Sequence, residues 1–149
     1  VLLVERGGEP YKGCWAFPGG FLNMDETTDE CAVRELEEET GLRDVFVEQL
    51  QAFSDIDRDP RGRTITVAYY ALVNPVGMNV AGYDDAADAR WFALSDMPSL
   101  AFDHEHVLLV ALHRLALKVY LQLNGIEELD EHFKGFDLKR LKDLILDKL

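Results

Sequence analysis

The sequence has few cysteines and no long apolar run at its start. Only two cysteines, Cys14 and Cys31, occur in 149 residues, so a disulfide framework is excluded and the chain suits a reducing cytoplasm. The opening apolar run, Val1–Val4, is too short for a signal peptide or a membrane span. Because the chain starts in a strand-like run without an initiator Met, we expect its first residues to be missing.

Basic residues are also scarce. Fifteen lysines and arginines stand against 28 aspartates and glutamates, which gives a formal net charge of −13. Such a balance argues against non-specific binding to nucleic acid or to anionic membranes, because both depend on basic patches. It does not argue against a nucleotide, since a bound metal ion supplies positive charge of its own. The length and the 48% of hydrophobic residues suit one globular domain with its own core.

One segment after residue 27 has the signals of a helix. Thr27 is a typical N-cap residue, and Glu30 stands three positions later, where it completes a capping box. Gly41 stands where a left-handed residue would end the helix. The sequence therefore predicts a helix from about residue 28 to residue 40.

Acidic residues are concentrated near the end of this predicted helix. Glu35, Glu38 and Glu39 recur at helical spacing, so their carboxylates can converge. Anions near a helix C-terminus oppose the helix dipole by about 0.3–1 kcal/mol each, and Arg34 alone cannot balance them. A hard divalent cation such as Mg²⁺ can, because it prefers oxygen ligands and is often completed by substrate phosphates. The alternative is a solvated acidic face, which is the usual role of a charge run.

A glycine-rich segment precedes the helix, and we call residues Trp15–Phe21 the glycine loop. It contains a Pro-Gly-Gly turn, and Gly19 and Gly20 allow the backbone to approach a metal ion or a phosphate closely. Trp15 and Phe17 either stack on a nucleotide base or pack in the core, and both alternatives stay open at this point. Loop and helix together are typical of a catalytic motif.

The fixed positions from Gly20 to Leu42 resemble the signature of the Nudix hydrolases: Gly, five residues, Glu, seven residues, Arg-Glu-aliphatic, one residue, Glu-Glu, one residue, Gly-aliphatic. Looser features extend the resemblance over residues 1–123. It implies an α/β (α+β) fold, the Nudix-type α/β/α sandwich with a mixed β-sheet between helices. It also implies hydrolysis, with Mg²⁺ or Mn²⁺, of a nucleoside diphosphate linked to another moiety.

The resemblance also implies roles for single residues. The implied metal ligands are three carboxylates and one backbone carbonyl, those of Glu35, Glu38, Glu39 and Gly20. Arg34 becomes the catalytic partner that orients Glu35, and Glu26 a supporting carboxylate. Glu38 is the first choice for the general base. The alternative is a carboxylate from a later segment, with four candidates: Asp84, Asp85, Asp103 and Glu105.

Within the family the chain is most similar to the short bacterial ADP-ribose pyrophosphatases. The segments that carry this similarity are the glycine loop, Ser54–Thr64, Arg90–Phe92 and Leu100–His104. The implied reaction is cleavage of ADP-ribose to AMP and ribose 5-phosphate, and an oxidised purine nucleoside triphosphate is the rival substrate. Residues 55–63 form either a solvated hairpin tip or a substrate-facing loop, in which Arg58 and Arg61 would meet phosphate or ribose.

The remaining elements are read from residue type and spacing. Strands are predicted for Val1–Glu5, Val45–Phe53, Thr64–Asn74 and Ala89–Phe92, with an acidic loop at Asp84–Asp88. A long helix is predicted for Glu105–Leu123, and Asp103 is its N-cap unless Asp103 to His106 hold a transition metal. A final amphipathic helix follows Asp137. We expect a Nudix domain over residues 1–123 and a helical extension over residues 124–149.

A ligand-sensing transcriptional regulator is the alternative from another functional class. Some Nudix relatives join a sensor domain to a DNA-binding extension, and residues 136–141 are faintly similar to the start of one. Sensors tend to have a damaged motif, whereas this one is intact, and the tail lacks the basic patch that DNA docking needs. The expected partner is therefore a small nucleotide, with neither nucleic acid nor membrane. The tail packs on the core or on a second copy in a homodimer.

Overall fold

The computed structural model describes residues 1–126 and 133–149, which form two compact units, Val1–Glu105 and His106–Leu149. Residues 127–132, which belong to the predicted extension, lie outside the described residues. Five strands and three helices follow in the order β1 (Leu2–Arg6), β2 (Trp15–Ala16), α1 (Thr28–Thr40), β3 (Glu48–Phe53), β4 (Thr66–Tyr70), β5 (Ala86–Trp91), α2 (His104–Leu123) and α3 (Leu138–Leu146). The predicted boundary between domain and extension stays a prediction.

Strand β1 lies at the centre of a three-stranded antiparallel sheet with the order β2-β1-β5. Val4 stands opposite Ala16 on one side and Ala89 on the other, and all three are buried. A parallel bridge joins Trp15 to Leu100. Because β2 is both paired to β1 and followed at once by the rest of the glycine loop, the sheet fixes the base of that loop.

Helix α1 has the ends that the sequence predicts. The side chain of Thr27 accepts a hydrogen bond from the backbone N–H of Glu30, and the Glu30 carboxylate accepts one from Thr27 in return. Gly41 has a left-handed backbone with φ 76°, and its N–H donates to the Glu37 carbonyl. Thr40 and Cys31 are buried. The predicted helix, its capping box and its glycine stop are confirmed.

Replacement of Thr27 by Ala is expected to lower the free energy of unfolding by about 1 kcal/mol, because the helix loses its N-cap acceptor. Urea unfolding followed by circular dichroism measures this change. Thr27→Ser keeps a hydroxyl at the cap, where serine is at least as favourable as threonine, and is expected to leave the free energy of unfolding nearly unchanged. Equal losses in the two variants would show that the cap does not stabilise α1.

All four predicted strands differ in their limits from the structure, and β1 differs by only one residue at each end. The β3–β4 ladder ends at the pair of Glu48 with Tyr70, so β3 begins three residues later than predicted and β4 ends four residues earlier than predicted. Strand β5 begins at Ala86, since β1 pairs as far as Arg6. The predicted acidic loop is therefore shorter, and Asp88 belongs to the strand. In each case the partner strand sets the limit, which residue preferences do not reveal.

The second unit contains most of α2 and all of α3. Asp137 caps α3 as predicted, since its carboxylate accepts hydrogen bonds from the backbone of Lys139 and Arg140. Val119 and Ile145 are almost fully buried. Among the described residues, α2 is the single helix that is long and apolar enough to cross a membrane. This is weak evidence for a membrane span, because core helices of soluble proteins share these properties.

Candidate active site

Arg34 connects the acidic residues of the motif. Its Nε and Nη2 donate to the two carboxylate oxygens of Glu26 at 2.8 and 2.6 Å. Its Nη1 donates to Glu35 at 2.7 Å and to Glu38 at 2.9 Å. The hydrogen bonds from Arg34 lower the pKa of Glu26 to about 2, with a further contribution from the backbone of Asn23. One guanidinium thus contacts three carboxylates that the sequence assigns to the site.

Glu39 lies on the side of α1 that faces the glycine loop. The backbone N–H of Gly19 donates to its carboxylate at 2.8 Å. Burial raises the pKa of Glu39 to about 7, and the negative charges of Glu35, Asp84 and Asp85 add to the increase. The loop before β5 therefore brings two of the candidate bases, Asp84 and Asp85, close to α1. Burial together with these charges outweighs the hydrogen bond from Gly19, which acts to lower the pKa of Glu39.

Gly20 lies against the carboxylate of Glu35. A Cβ atom at residue 20 would stand 2.2 Å from Oε1 of Glu35, well inside van der Waals contact. Only a glycine allows the backbone to come this close without a displacement of Glu35. The structure thus brings the Gly20 backbone and the Glu35 side chain together, as the motif predicts.

Replacement of Gly20 by Ala is expected to lower turnover at least tenfold. The added methyl group would push the Glu35 carboxylate aside, and small misplacements of catalytic groups are costly. Because the clash is with the end of a flexible side chain, the melting temperature should change little. Gly8→Ala adds the same methyl group where no atom lies within 4 Å, so it serves as the control. Normal turnover of Gly20→Ala would mean that the contact with Glu35 is not needed.

The acidic cluster, by which we mean Glu35, Glu38 and Glu39, consists of hard oxygen donors that suit Mg²⁺ or Mn²⁺. Among residues 1–126 and 133–149 no three acidic, histidine or cysteine side chains converge closely enough to hold a metal ion as they stand. Arg34 engages Glu35 and Glu38, whereas Gly19 engages Glu39. The three carboxylates near the half-buried Glu39 and the close approach of the Gly20 backbone to Glu35 nevertheless fit a hard cation.

The two aromatic residues of the glycine loop already have protein neighbours. The ring of Trp15 packs edge-to-face on Phe92, with centroids 4.7 Å apart, and the guanidinium of Arg90 lies over it. The ring of Phe17 stacks on His104 at 5.1 Å. These contacts favour the packing alternative for both residues over stacking on a nucleotide base.

The two arginines proposed for substrate binding differ in their surroundings. The Arg58 side chain is only 5% exposed; its Nε and Nη2 donate to both oxygens of Asp103, and its Nη1 donates to Thr66. The Arg61 side chain is 46% exposed and pairs with Asp59. Arg61 therefore remains open to a ligand, whereas the guanidinium of Arg58 is already engaged within the fold. Asp103 stands at the predicted N-cap position of α2, but both of its carboxylate oxygens accept hydrogen bonds from Arg58.

A cluster of aromatic and basic residues beside the glycine loop was not predicted. The guanidinium groups of Arg6 and Arg61 lie 4.8 and 5.6 Å from the centroid of the Phe102 ring, and Tyr11 packs on the same ring at 4.8 Å. Nδ1 of His104 accepts a hydrogen bond from the backbone N–H of Phe17 at 3.0 Å. The segment Leu100–His104 supported the family resemblance, but nothing in the sequence reveals these contacts.

Burial lowers the pKa of His104 to about 4. Its pKa in an unfolded chain is about 6.5, so between these values the unfolded state binds more protons and unfolding is favoured as the pH falls. We expect the free energy of unfolding to drop by about 3 kcal/mol from pH 7 to pH 4 on this account. Urea unfolding at both pH values measures it, and His104→Asn, which does not titrate, should lose less. Identical losses in both proteins would contradict this origin.

Residues 1–112 match the NUDIX domain. The chain is 43% identical over 108 residues to the ADP-ribose pyrophosphatase of Methanocaldococcus jannaschii, a match that covers 72% of this chain and 63% of that protein. It is 33% identical over 150 residues to the ADPR responsive transcriptional repressor NtrR of Acinetobacter baylyi, a match that covers 98% of this chain and 60% of the repressor. The chain thus spans about three fifths of the length of these two relatives.

Among solved structures, the NUDIX domain of Shewanella oneidensis NrtR complexed with ADP ribose has a TM-score of 0.71 and 35% sequence identity. The match covers 77% of each chain. The predicted Nudix fold is therefore confirmed. The NUDIX domain match covers most of the sequence, from the first strand through α1 to the first half of α2, so the chain belongs to the Nudix family.

Proposed function

We propose that this protein is a divalent-metal-dependent pyrophosphohydrolase that cleaves ADP-ribose to AMP and ribose 5-phosphate. The observation that carries the proposal is the intact motif, in which Arg34 contacts Glu35 and Glu38 and the glycine loop holds Glu39. The names of the relatives support the choice of substrate. One is an ADP-ribose pyrophosphatase, and the solved NUDIX domain is bound to ADP ribose.

Mg²⁺ or Mn²⁺ would be held by the acidic cluster and the Gly20 carbonyl. When bound, such a cation neutralises the diphosphate oxygens and lowers the pKa of its water. Arg34 fixes the carboxylate of Glu35, and the N–H of Gly19 fixes that of Glu39. The Glu38 side chain is 45% exposed, so it can reach a water molecule and accept its proton. Glu38 is therefore the proposed general base.

Substrate contacts outside the motif are assigned by exposure. Arg61 is the proposed contact to phosphate or ribose, because it lies within 5.7 Å of the ring of Phe21, next to Gly20, and stays half exposed. We propose an indirect role for Arg58, Trp15 and Phe17, which would support the residues that contact the substrate. Their own side chains already contact other protein residues. The free thiols of Cys14 and Cys31 suit a cytoplasmic location, which we propose as well.

A substrate panel with product analysis tests this function. Purified protein would be incubated with ADP-ribose, other nucleoside diphosphate derivatives and oxidised purine nucleoside triphosphates, with Mg²⁺ and with Mn²⁺. We expect AMP and ribose 5-phosphate from ADP-ribose as the fastest reaction. A nucleoside monophosphate with pyrophosphate as the main products would indicate the rival substrate. Absence of turnover on every compound with either metal would overturn the enzymatic proposal.

An ADP-ribose-responsive transcriptional regulator is the second candidate. One observation favours it: the match to the repressor covers 98% of this chain, whereas the match to the pyrophosphatase covers 72%. The similarity to the repressor thus extends into the tail, where α3 lies. Selection of binding sites from a random DNA pool, with and without ADP-ribose, would be run beside the activity assay. ADP-ribose-sensitive enrichment of one DNA sequence without hydrolysis would favour the regulator.

A further inference from the structure

We propose that His104 is a positioning residue that fixes the glycine loop against the acidic cluster. The inference rests on the proposed function, because it concerns the same site. His104 touches neither Glu35, Glu38 nor Glu39 through any contact found in the described part of the chain. It acts on them through the backbone between Phe17 and Gly20.

The hydrogen bond between His104 and Phe17 defines the state of the imidazole. Nδ1 lies 3.0 Å from the backbone nitrogen of Phe17, and a backbone N–H can only donate. Nδ1 must therefore be unprotonated, with the proton of the neutral ring on Nε2. The ring of His104 also stacks on that of Phe17, with an angle of 24° between the planes. One side chain thus holds both the backbone and the side chain of Phe17.

The surroundings keep this imidazole neutral near pH 7. Burial lowers its pKa to about 4, and the nearby Arg58 and Arg6 act in the same direction. Asp103 opposes them, but its carboxylate is already paired with Arg58. Since a protonated ring cannot accept at Nδ1, neutrality preserves the bond to Phe17.

The next residues of the loop contact the acidic cluster directly. Two positions after Phe17, the N–H of Gly19 donates to Glu39, and the Gly20 backbone lies against Glu35. His104 therefore fixes one end of a four-residue segment whose other end positions two proposed metal ligands. A loop released at Phe17 can shift by a fraction of an ångström, and shifts of this size lower turnover strongly.

If His104 served only for packing, a different set of side chains would be able to replace it. Packing needs a flat ring against Phe17 and Phe102, which a phenylalanine supplies. Positioning needs an acceptor for the Phe17 N–H, which an asparagine supplies through its amide oxygen. His104→Phe and His104→Asn thus separate the two roles, and the Asn variant also covers the case in which the Phe variant does not fold.

The test combines steady-state kinetics on ADP-ribose with amide hydrogen exchange of residues 15–21, after thermal unfolding has shown that each variant is folded. For His104→Phe we expect kcat to fall at least tenfold, KM to change less than threefold, and exchange in the loop to accelerate. For His104→Asn we expect kcat within threefold of wild type and protected loop amides. The reverse order, with Phe active and Asn impaired, would overturn the inference in favour of packing.

The exchange measurement keeps this inference distinct from the proposed function. If the wild type does not hydrolyse ADP-ribose, the proposed function fails, but the loop amides still report whether residue 104 fixes the loop. Faster exchange in His104→Phe and normal exchange in His104→Asn would then support a positioning role. Unchanged exchange in both variants would overturn it, whatever the protein hydrolyses.

Discussion

Replacement of Glu38 by Gln is expected to lower turnover on ADP-ribose by at least about 100-fold while the protein remains folded. Gln keeps the volume of the side chain but has no negative charge, so it can neither take a proton from water nor balance a cation. The fold should tolerate the change, because the side chain is half exposed and Arg34 keeps its bonds to Glu26 and Glu35. Saturation kinetics with Mg²⁺ and thermal unfolding measure the two effects.

Glu37→Gln is the matched control for this experiment. Glu37 precedes Glu38 on the same helix, but its carboxylate pairs with Arg43, and both side chains are exposed. The control should retain activity within about a factor of two. If Glu38→Gln turned over like wild type, Glu38 would be neither base nor essential ligand, and Asp84 or Asp85 would replace it as the candidate.

Replacement of Asp103 by Ala is expected to lower the free energy of unfolding by about 3–5 kcal/mol. Asp103 is the carboxylate partner of Arg58, whose side chain is almost fully buried. Removal of one member of a buried ion pair leaves the other charge buried without a partner. This destabilises the fold by much more than the intact pair stabilises it. Urea unfolding with a linear extrapolation gives the difference.

An exposed ion pair provides the reference for this effect. Glu37→Ala removes the carboxylate partner of Arg43 at the surface, where we expect a loss below about 1 kcal/mol. The double variant Arg58→Met/Asp103→Leu removes both buried charges and should recover much of the stability lost in Asp103→Ala. Comparable small losses in Asp103→Ala and Glu37→Ala would show that the buried pair does not hold the 55–63 loop to the start of α2.

Local signals explain which parts of the fold the sequence predicted. Both ends of α1 were correct because Thr27, Glu30 and Gly41 act on backbone groups within four residues. Asp137 at the start of α3 is a second example. The limits of β3 and β4 were wrong because the ladder between them decides where a strand ends, and a run of apolar residues continues beyond the last pair.

The same distinction applies to the candidate site. The contact of Arg34 with Glu38 follows from i,i+4 helical spacing, and its contact with Glu35 was implied by the family resemblance. The bond from Phe17 to His104 joins residues 87 positions apart, and the pair of Arg58 with Asp103 joins residues 45 positions apart. Neither could be predicted, because the sequence does not say which loops meet. The structure supplied these two contacts, and they concern how the site is supported.

Titration of Mn²⁺ into the protein, followed by electron paramagnetic resonance, is the most direct test of the proposed metal site. We propose that the carboxylates of α1 bind a divalent cation that also contacts the diphosphate of the ligand. The ligand would be ADP-ribose with a methylene group in place of the bridging oxygen. Wild type should bind Mn²⁺ more tightly when this analogue is present. The double variant Glu35→Gln/Glu39→Gln should show no tight Mn²⁺ binding, with or without the analogue. Equal Mn²⁺ binding by wild type and the double variant would contradict the assignment.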